Sequence, residues 1–177
     1  MKLMNFLCLF ICMSCTPGDV ENKHNMGIAI KPTIIGRYSL DNEKCTLDNY
    51  LVEIKLVNVG DATIKFWIFS CSCFLNFVLD NKDFSLIGNS CDANYPELIE
   101  LKSQQSLTIP IVIKNRDSSK IKMPKFKIGF VLVFESQHKF ELNLMKTVDN
   151  FKKTQSQILW SNEIDLIQDT RNPYRIE

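Results

Sequence analysis

Apolar residues in this chain recur every second position, segment after segment, and that spacing restricts the fold more than any other feature. Tyr50 to Val57 (YLVEIKLV) is the clearest case: Val52, Ile54 and Leu56 share one side, Glu53 and Lys55 the other. A pleated strand turns alternate side chains to opposite faces, so this spelling predicts a half-buried strand. Ser106 to Lys114 sets Leu107, Ile109, Ile111 and Ile113 on one face, and Phe126 to Glu135 does the same with Phe126, Ile128, Phe130, Leu132 and Phe134. Gly27 to Ile35 reads as a strand that Pro32 restricts to an edge. Ala62 to Cys73 is expected to form a long strand buried at its centre, which would put Cys71 and Cys73 on the same side of it. Phe74 to Leu79, Phe84 to Ile87, Lys139 to Leu144 and Ile158 to Ile167 are further strand candidates. Asn58-Val59-Gly60-Asp61 is expected to turn through positive φ at Gly60 or Asp61, and Asp80 to Asp83 to make another turn. Asp149 to Gln157 shows no clear period and reads as a loop or a helical turn. The expected fold class is all-β, an antiparallel β-sandwich, with Ile54, Phe66, Ile109 and Phe130 in its core.

The first fifteen residues, MKLMNFLCLFICMSC, are of another kind. One charge, Lys2, precedes a largely apolar run from Leu3 to Met13, too short for the roughly twenty residues that span a bilayer. Ser14 then supplies a small residue directly before Cys15, the layout of a secretory signal. The segment resembles a bacterial lipoprotein signal, which implies acylation of Cys15 as the mature N-terminus. Residues 1–14 are thus expected to be a signal peptide, 15–26 a lipidated cysteine and polar tether, and 27–177 the β domain. The implied location is the cell envelope, anchored to the outer membrane or the periplasmic face through lipid.

Composition excludes several classes of function. With 21 Lys+Arg against 20 Asp+Glu in 177 residues, the chain has no basic excess with which to bind nucleic acid. Lys114 to Lys127 is locally basic, but it reads as a solvated hairpin between two strands. Two histidines, His24 in the expected tether and His138 in an expected turn, leave little material for a histidine-based active site. No G-x-S-x-G or H-E-x-x-H motif occurs. Glu97 and Glu100 are carboxylates expected to rim a strand. Asp80, Asn81 and Asp83 lack the ligand spacing of a calcium loop. No catalytic residue, cofactor or metal site is expected, and the chain reads as a non-enzyme.

Seven cysteines are present. Cys8 and Cys12 would leave with the signal, and Cys45, Cys71, Cys73 and Cys91 would remain in an oxidising space. Cys91 could pair with Cys71 or Cys73, with Cys45 meeting the other, or the thiols could stay free in the core. Zinc ligation is disfavoured by the missing CxxC pair and the absence of a nearby histidine. Trp67 and Trp160 read as core aromatics; exposed, they would suit a sugar-stacking face.

Strand-turn Leu56 to Asp61, the run Ile64 to Ser72 (IKFWIFSCS), Cys91 to Pro96 (CDANYP), Glu100-Leu101 and Leu159 to Asn162 (LWSN) together carry a second resemblance. The chain is similar to the immunoglobulin-like sandwich lipoproteins of Bacteroidetes-type bacteria over about residues 50 to 167. That resemblance implies an immunoglobulin-like fold and an envelope location, and it favours Cys71 over Cys73 as the partner of Cys91. It implies no activity. At Lys102-Ser103-Gln104-Gln105 the chain lacks the Pro-Gly turn common in similar proteins. The expected function is a non-catalytic, membrane-anchored protein offering an interaction surface to a protein partner. The alternative is a carbohydrate-binding module of a glycan-uptake system, whose partner is a glycan, and a third reading is an envelope hydrolase.

Overall fold

The structure is a computed structural model that describes residues 27–38, 49–88, 91, 94–116, 125–137 and 144–166. Among these, antiparallel strands dominate and one α-helix occurs, so the chain is all-β.

One sheet is regular. It contains β1 (Ile28–Tyr38), β2 (Asn49–Asn58), β5 (Phe84–Ile87) and β7 (Ser106–Asn115), in the order β1-β2-β7-β5. Val52, Ile54 and Leu56 of β2 are completely buried, opposite Ile111, Ile109 and Leu107 of β7. The expected alternation therefore holds across the two central strands. Asn58 ends β2 as a buried polar residue, and its side chain builds the following turn. Its Oδ1 accepts from Gly60 N–H at 3.0 Å, while its Nδ2 donates to Ala62 O at 2.7 Å and Leu101 O at 2.9 Å. Neither Gly60 nor Asp61 adopts positive φ, contrary to expectation. An asparagine side chain that satisfies the turn's backbone groups makes the left-handed conformation unnecessary.

The remaining strands are shorter and broken. They are β3 (Ile64–Phe69), β4 (Phe77–Leu79), β6 (Pro96–Leu101), β8 (Lys125–Phe126), β9 (Ile128–Val131), β10 (Val133–Phe134), β11 (Ile158–Trp160) and β12 (Ile164–Asp165). Three of them, β8 to β10, follow one another along a nearly continuous extended run. β12 pairs with β8, β11 and β4 flank β9, and β3 pairs with β10 on one side and β6 on the other. The long strand expected from Ala62 to Cys73 stops at Phe69, so Cys71 and Cys73 lie outside any strand. The strand expected from Ile158 is, up to Leu166, likewise two short strands: Ser161 N–H still donates to Ile128 O, but Ile128 N–H turns to Ser161 Oγ at 3.0 Å instead of a backbone carbonyl.

One apolar cluster draws on both groups of strands. It joins Val52, Ile54, Ile109 and Ile113 to Phe66, Phe77, Phe126 and Phe130. Phe130 sits at its centre, with ring centroids 5.7 Å from Phe66 and 5.2 Å from Phe77. All four residues expected in the core are buried.

A second cluster explains why β9 and β10 are buried on both faces. Val131 and Val133 point away from the main core and meet Leu144, Val148 and Phe151 of helix α1 (Leu144–Thr154). Those three residues lie at i, i+4 and i+7, one helical stripe. Leu144, expected to close a strand, instead starts this helix, and the segment from Asp149 that lacked a period is its second half. Residues 139–143 of that expected strand lie outside the described residues. The helix ends with Gln155 at φ 53°, and Ser156 N–H donates to Phe151 O at 3.0 Å. This is the left-handed helix stop usually made by glycine.

Candidate functional site: the cystine-pinned excursion

β3 and β4 pair with successive parts of the same run, yet seven residues, 70–76, leave the sheet between them. A gap of that size would orphan backbone groups in the interior, which is costly unless they find partners. Asn76, completely buried, supplies them. Its Oδ1 accepts from Phe69 N–H at 3.1 Å, and its Nδ2 faces Trp67 O at 3.4 Å and Val131 O at 3.5 Å. One amide side chain thus takes the place of missing ladder bonds.

The excursion carries the cysteines. Cys71 is joined to Cys91 by a disulfide, with Cα atoms 6.0 Å apart. The bond ties the excursion to the connection that leads from β5 in the regular sheet to β6 beside β3. Asn94 adds a polar clamp: its Oδ1 accepts from Ser72 N–H at 3.1 Å and from Cys71 N–H at 3.4 Å. Ser70 N–H donates to Tyr95 O at 2.9 Å, and Tyr95 N–H to Ser70 Oγ at 3.2 Å. These bonds fix the backbone of Tyr95 while its side chain remains 66% exposed.

Cys73 opens a 3₁₀ turn (Cys73–Asn76) and is half-buried with a free thiol. Burial pushes its pKa up, against the smaller opposing effect of its own and Phe74 N–H groups, so the thiol stays protonated at neutral pH. Phe74 packs across Gly88, where a Cβ would lie only 1.9 Å from the ring. Helix α1 closes the other side: Lys152 Nζ donates to Leu75 O at 2.5 Å. Burial lowers the pKa of Lys152, and Asp149 partly offsets the effect.

Other residues singled out by sequence fall elsewhere. Glu97 and Glu100 lie on β6, both exposed, and Glu100 faces Lys65 at 3.6 Å. Asp80 and Asn81 hold backbone: Asp80 Oδ1 accepts from Lys127 N–H, and Asn81 bonds Asp83 N–H and Lys125 O. Within the basic stretch, Lys125 is engaged by Glu163 at 3.1 Å and Asp165 at 3.8 Å. Trp67 is half-buried against the second cluster, whereas Trp160 is 38% exposed and lies over Gly129. A Cβ on Gly129 would come within 2.9 Å of the Trp160 ring and closer still to Ile158 and Val78. Cys15, His24, Cys45 and His138 lie outside the described residues, as does part of the basic stretch. Among the described residues, no three His, Cys, Asp or Glu side chains gather in a way that could hold a metal.

Asn76 and Lys152 had no role in the sequence reading, and Asn94 entered it only within the run Cys91 to Pro96. A polar residue inside an apolar run, as Asn76 is in Phe74 to Leu79, was the available signal.

No family model and no curated protein matches the chain. Among solved structures, the crystal structure of a FixG-related protein from Vibrio parahaemolyticus aligns with 78% of this chain and 93% of its own, at 11% identity and a TM-score of 0.35.

Proposed function

We propose that this chain is a non-catalytic, lipid-anchored protein of a Gram-negative cell envelope. In this reading, Cys15 carries the lipid, residues 16–26 form a tether, and the body is an immunoglobulin-like β-sandwich. The rim around Cys71–Cys91 and Tyr95 meets a protein partner. The observation that carries the proposal is the disulfide-pinned excursion, which holds an exposed tyrosine on a fixed backbone. Such a bond persists in exported proteins and is rare in reducing compartments. A rigid aromatic side chain suits a binding anchor, because little conformational entropy is lost on docking. The apolar cluster shared by the regular sheet and the broken strands supports a two-layered body. The excursion's polar groups support a non-catalytic role: Asn76, Asn94 and Ser70 are spent on backbone bonds, and burial keeps the Cys73 thiol protonated.

A glycan partner is the second reading, favoured by the exposure of Trp160. Tyr95 precedes β6 and Trp160 ends β11, strands that do not pair with each other.

Fractionation of cells expressing Cys15→Ala tests the anchor. The wild-type chain should pellet with membranes after a high-salt wash and incorporate labelled palmitate, and the variant should do neither. A variant that still pelleted would overturn the anchored reading.

A further inference from the structure

Every proline within a described strand turns its nitrogen to a side that no described strand pairs at that position. Gly27 O accepts from Val59 N–H at 2.8 Å, so alternation turns the nitrogen of Pro32 away from β2. Asn58 N–H donates to Gln105 O, which places Pro110 facing away from β2, where β5 no longer covers β7. Ser70 N–H donates to Tyr95 O, so Pro96 faces away from β3. A proline at such a position costs the sheet no ladder bond and denies one to an incoming strand.

The three edges are not equally guarded. Pro32 stands mid-strand in β1, close to a register shift between Ile34 and Gly36. Pro110 likewise blocks the open half of β7. On β6 the proline is only the first residue, and pairing with β3 runs without a shift from Pro96 to Leu101. The outward backbone groups beyond it belong to Leu98 and Glu100. At the far end, Lys102 N–H is already taken by Gln105 Oε1 at 2.9 Å. Among the described residues, this edge is therefore bounded at both ends and offers two N–H and two C=O groups, flanked by the exposed Tyr95.

We propose that the outer edge of β6 takes up an extended segment of another protein, with the pattern basic–apolar–apolar–basic set against Glu97-Leu98-Ile99-Glu100. Leu98 and Ile99 are half-buried on opposite faces of β6 and would be covered by the two apolar residues. Glu97 and Glu100 are exposed and would meet the two basic ones, Glu100 sharing its charge with Lys65 at 3.6 Å. A second copy of this chain is the poorer occupant: the antiparallel registers that mate the outward groups of Leu98 with those of Leu98 or Glu100 in a copy set Glu97 opposite Ile99 or Leu101, apolar residues that leave its charge unmatched. The inference deepens the interaction-surface reading and rests on it.

Fluorescence anisotropy with the full-length chain and a labelled eight-residue peptide tests the proposal. The peptide has a lysine–valine–isoleucine–lysine centre flanked by threonines. Leu98→Pro removes an outward N–H and leaves the β3 ladder intact; it should weaken binding at least about tenfold. Glu97→Lys should weaken it by about fivefold. Two peptides N-methylated at alternate residues keep the test independent of any effect of substitution on folding. Strand addition predicts that one loses binding and the other retains it. No binding of the unmodified peptide, equal binding by both methylated peptides, or undiminished binding to a folded Leu98→Pro chain would each overturn the proposal. So would a dimer, seen by sedimentation, that Leu98→Pro dissolves, since the occupant would then be a second copy. Cross-linking in intact envelopes separates this failure from failure of the broader reading. Partner cross-links lost in Tyr95→Ala, together with no peptide binding, would sink the β6 proposal alone.

Discussion

The regular sheet and the broken strands reach stability by different means. β2 is laddered on both sides, β7 is laddered to β2 along its length, and one face of alternating side chains fills the core. Around β3 and β4 the ladder is interrupted, and the interruption is bridged by one asparagine, a disulfide, a lysine from α1 and a glycine that admits Phe74. Regularity is cheap where nothing has to leave the sheet. Projecting a fixed rim from the sheet requires specific side chains to take over what the ladder does elsewhere. The first region should tolerate polar changes on its outer face, while the second should fail at single named residues.

The largest expected effect lies where the two regions meet. Phe130→Ala removes a ring that touches both Phe66 and Phe77, and should cost about 3–5 kcal/mol in denaturant unfolding. By contrast, Thr108→Ala on the exposed face of β7 should stay within about 0.5 kcal/mol. Next comes the disulfide. Cys71→Ser with Cys91→Ser reopens a loop of sequence separation 20, and should cost about 3 kcal/mol in the chain-entropy account. A third, smaller loss should follow Asn76→Ala, about 2 kcal/mol, because Phe69 N–H and two carbonyls lose their partner in the interior. If Asn76→Ala proved as mild as Thr108→Ala, the contrast between the regions would collapse.

How much of this was legible depends on the same contrast. Strands β2, β5 and β7 could be read directly, because each buries one face and spells that burial as alternation. The end of β3 could not. Phe69 to Cys73 stays apolar or small, and only the tertiary pairing of Asn76 shows that the chain has left the sheet. Helix α1 was hidden because Lys146, Asp149, Asn150, Lys152 and Lys153 outnumber its three apolar contacts. The Pro-Gly turn missing before β7 has a physical counterpart: Gln104 sits at φ 63°, where glycine would carry no penalty. The choice of Cys71 over Cys73 came from resemblance, since alternation put both on one face of a strand that ends before either.

The smaller predictions sharpen these points. Gln155→Gly should stabilise the chain by about 0.5–1 kcal/mol, since glycine adopts the left-handed helix stop without a Cβ penalty. The same change at Gln104 should act in the same direction. The free thiol gives the excursion a pH signature. Because the folded chain raises the pKa of Cys73 above its ordinary 9.0, the native state holds a proton that the unfolded chain releases. Stability from this group is complete below pH about 9 and declines as pH rises through the raised value. Cys73→Ser should remove that alkaline decline, as read by melting temperature from pH about 8 to 11. Lys152 acts with opposite sign. Its lowered folded pKa means that stability rises with pH between that value and the ordinary 10.5. Lys152→Met should abolish the rise.

A rim pinned by one bond between two cysteines is the central feature of the molecule, and the proposed export would let that bond persist. Peptide mapping under non-reducing conditions tests this directly, on chain taken from its own cells with free thiols alkylated at the moment of lysis. The expected result is a linked peptide pair containing Cys71 and Cys91, with Cys73 recovered alkylated. Recovery of Cys71 and Cys91 as alkylated, unlinked peptides would contradict both the pinned excursion and the exported location argued from it.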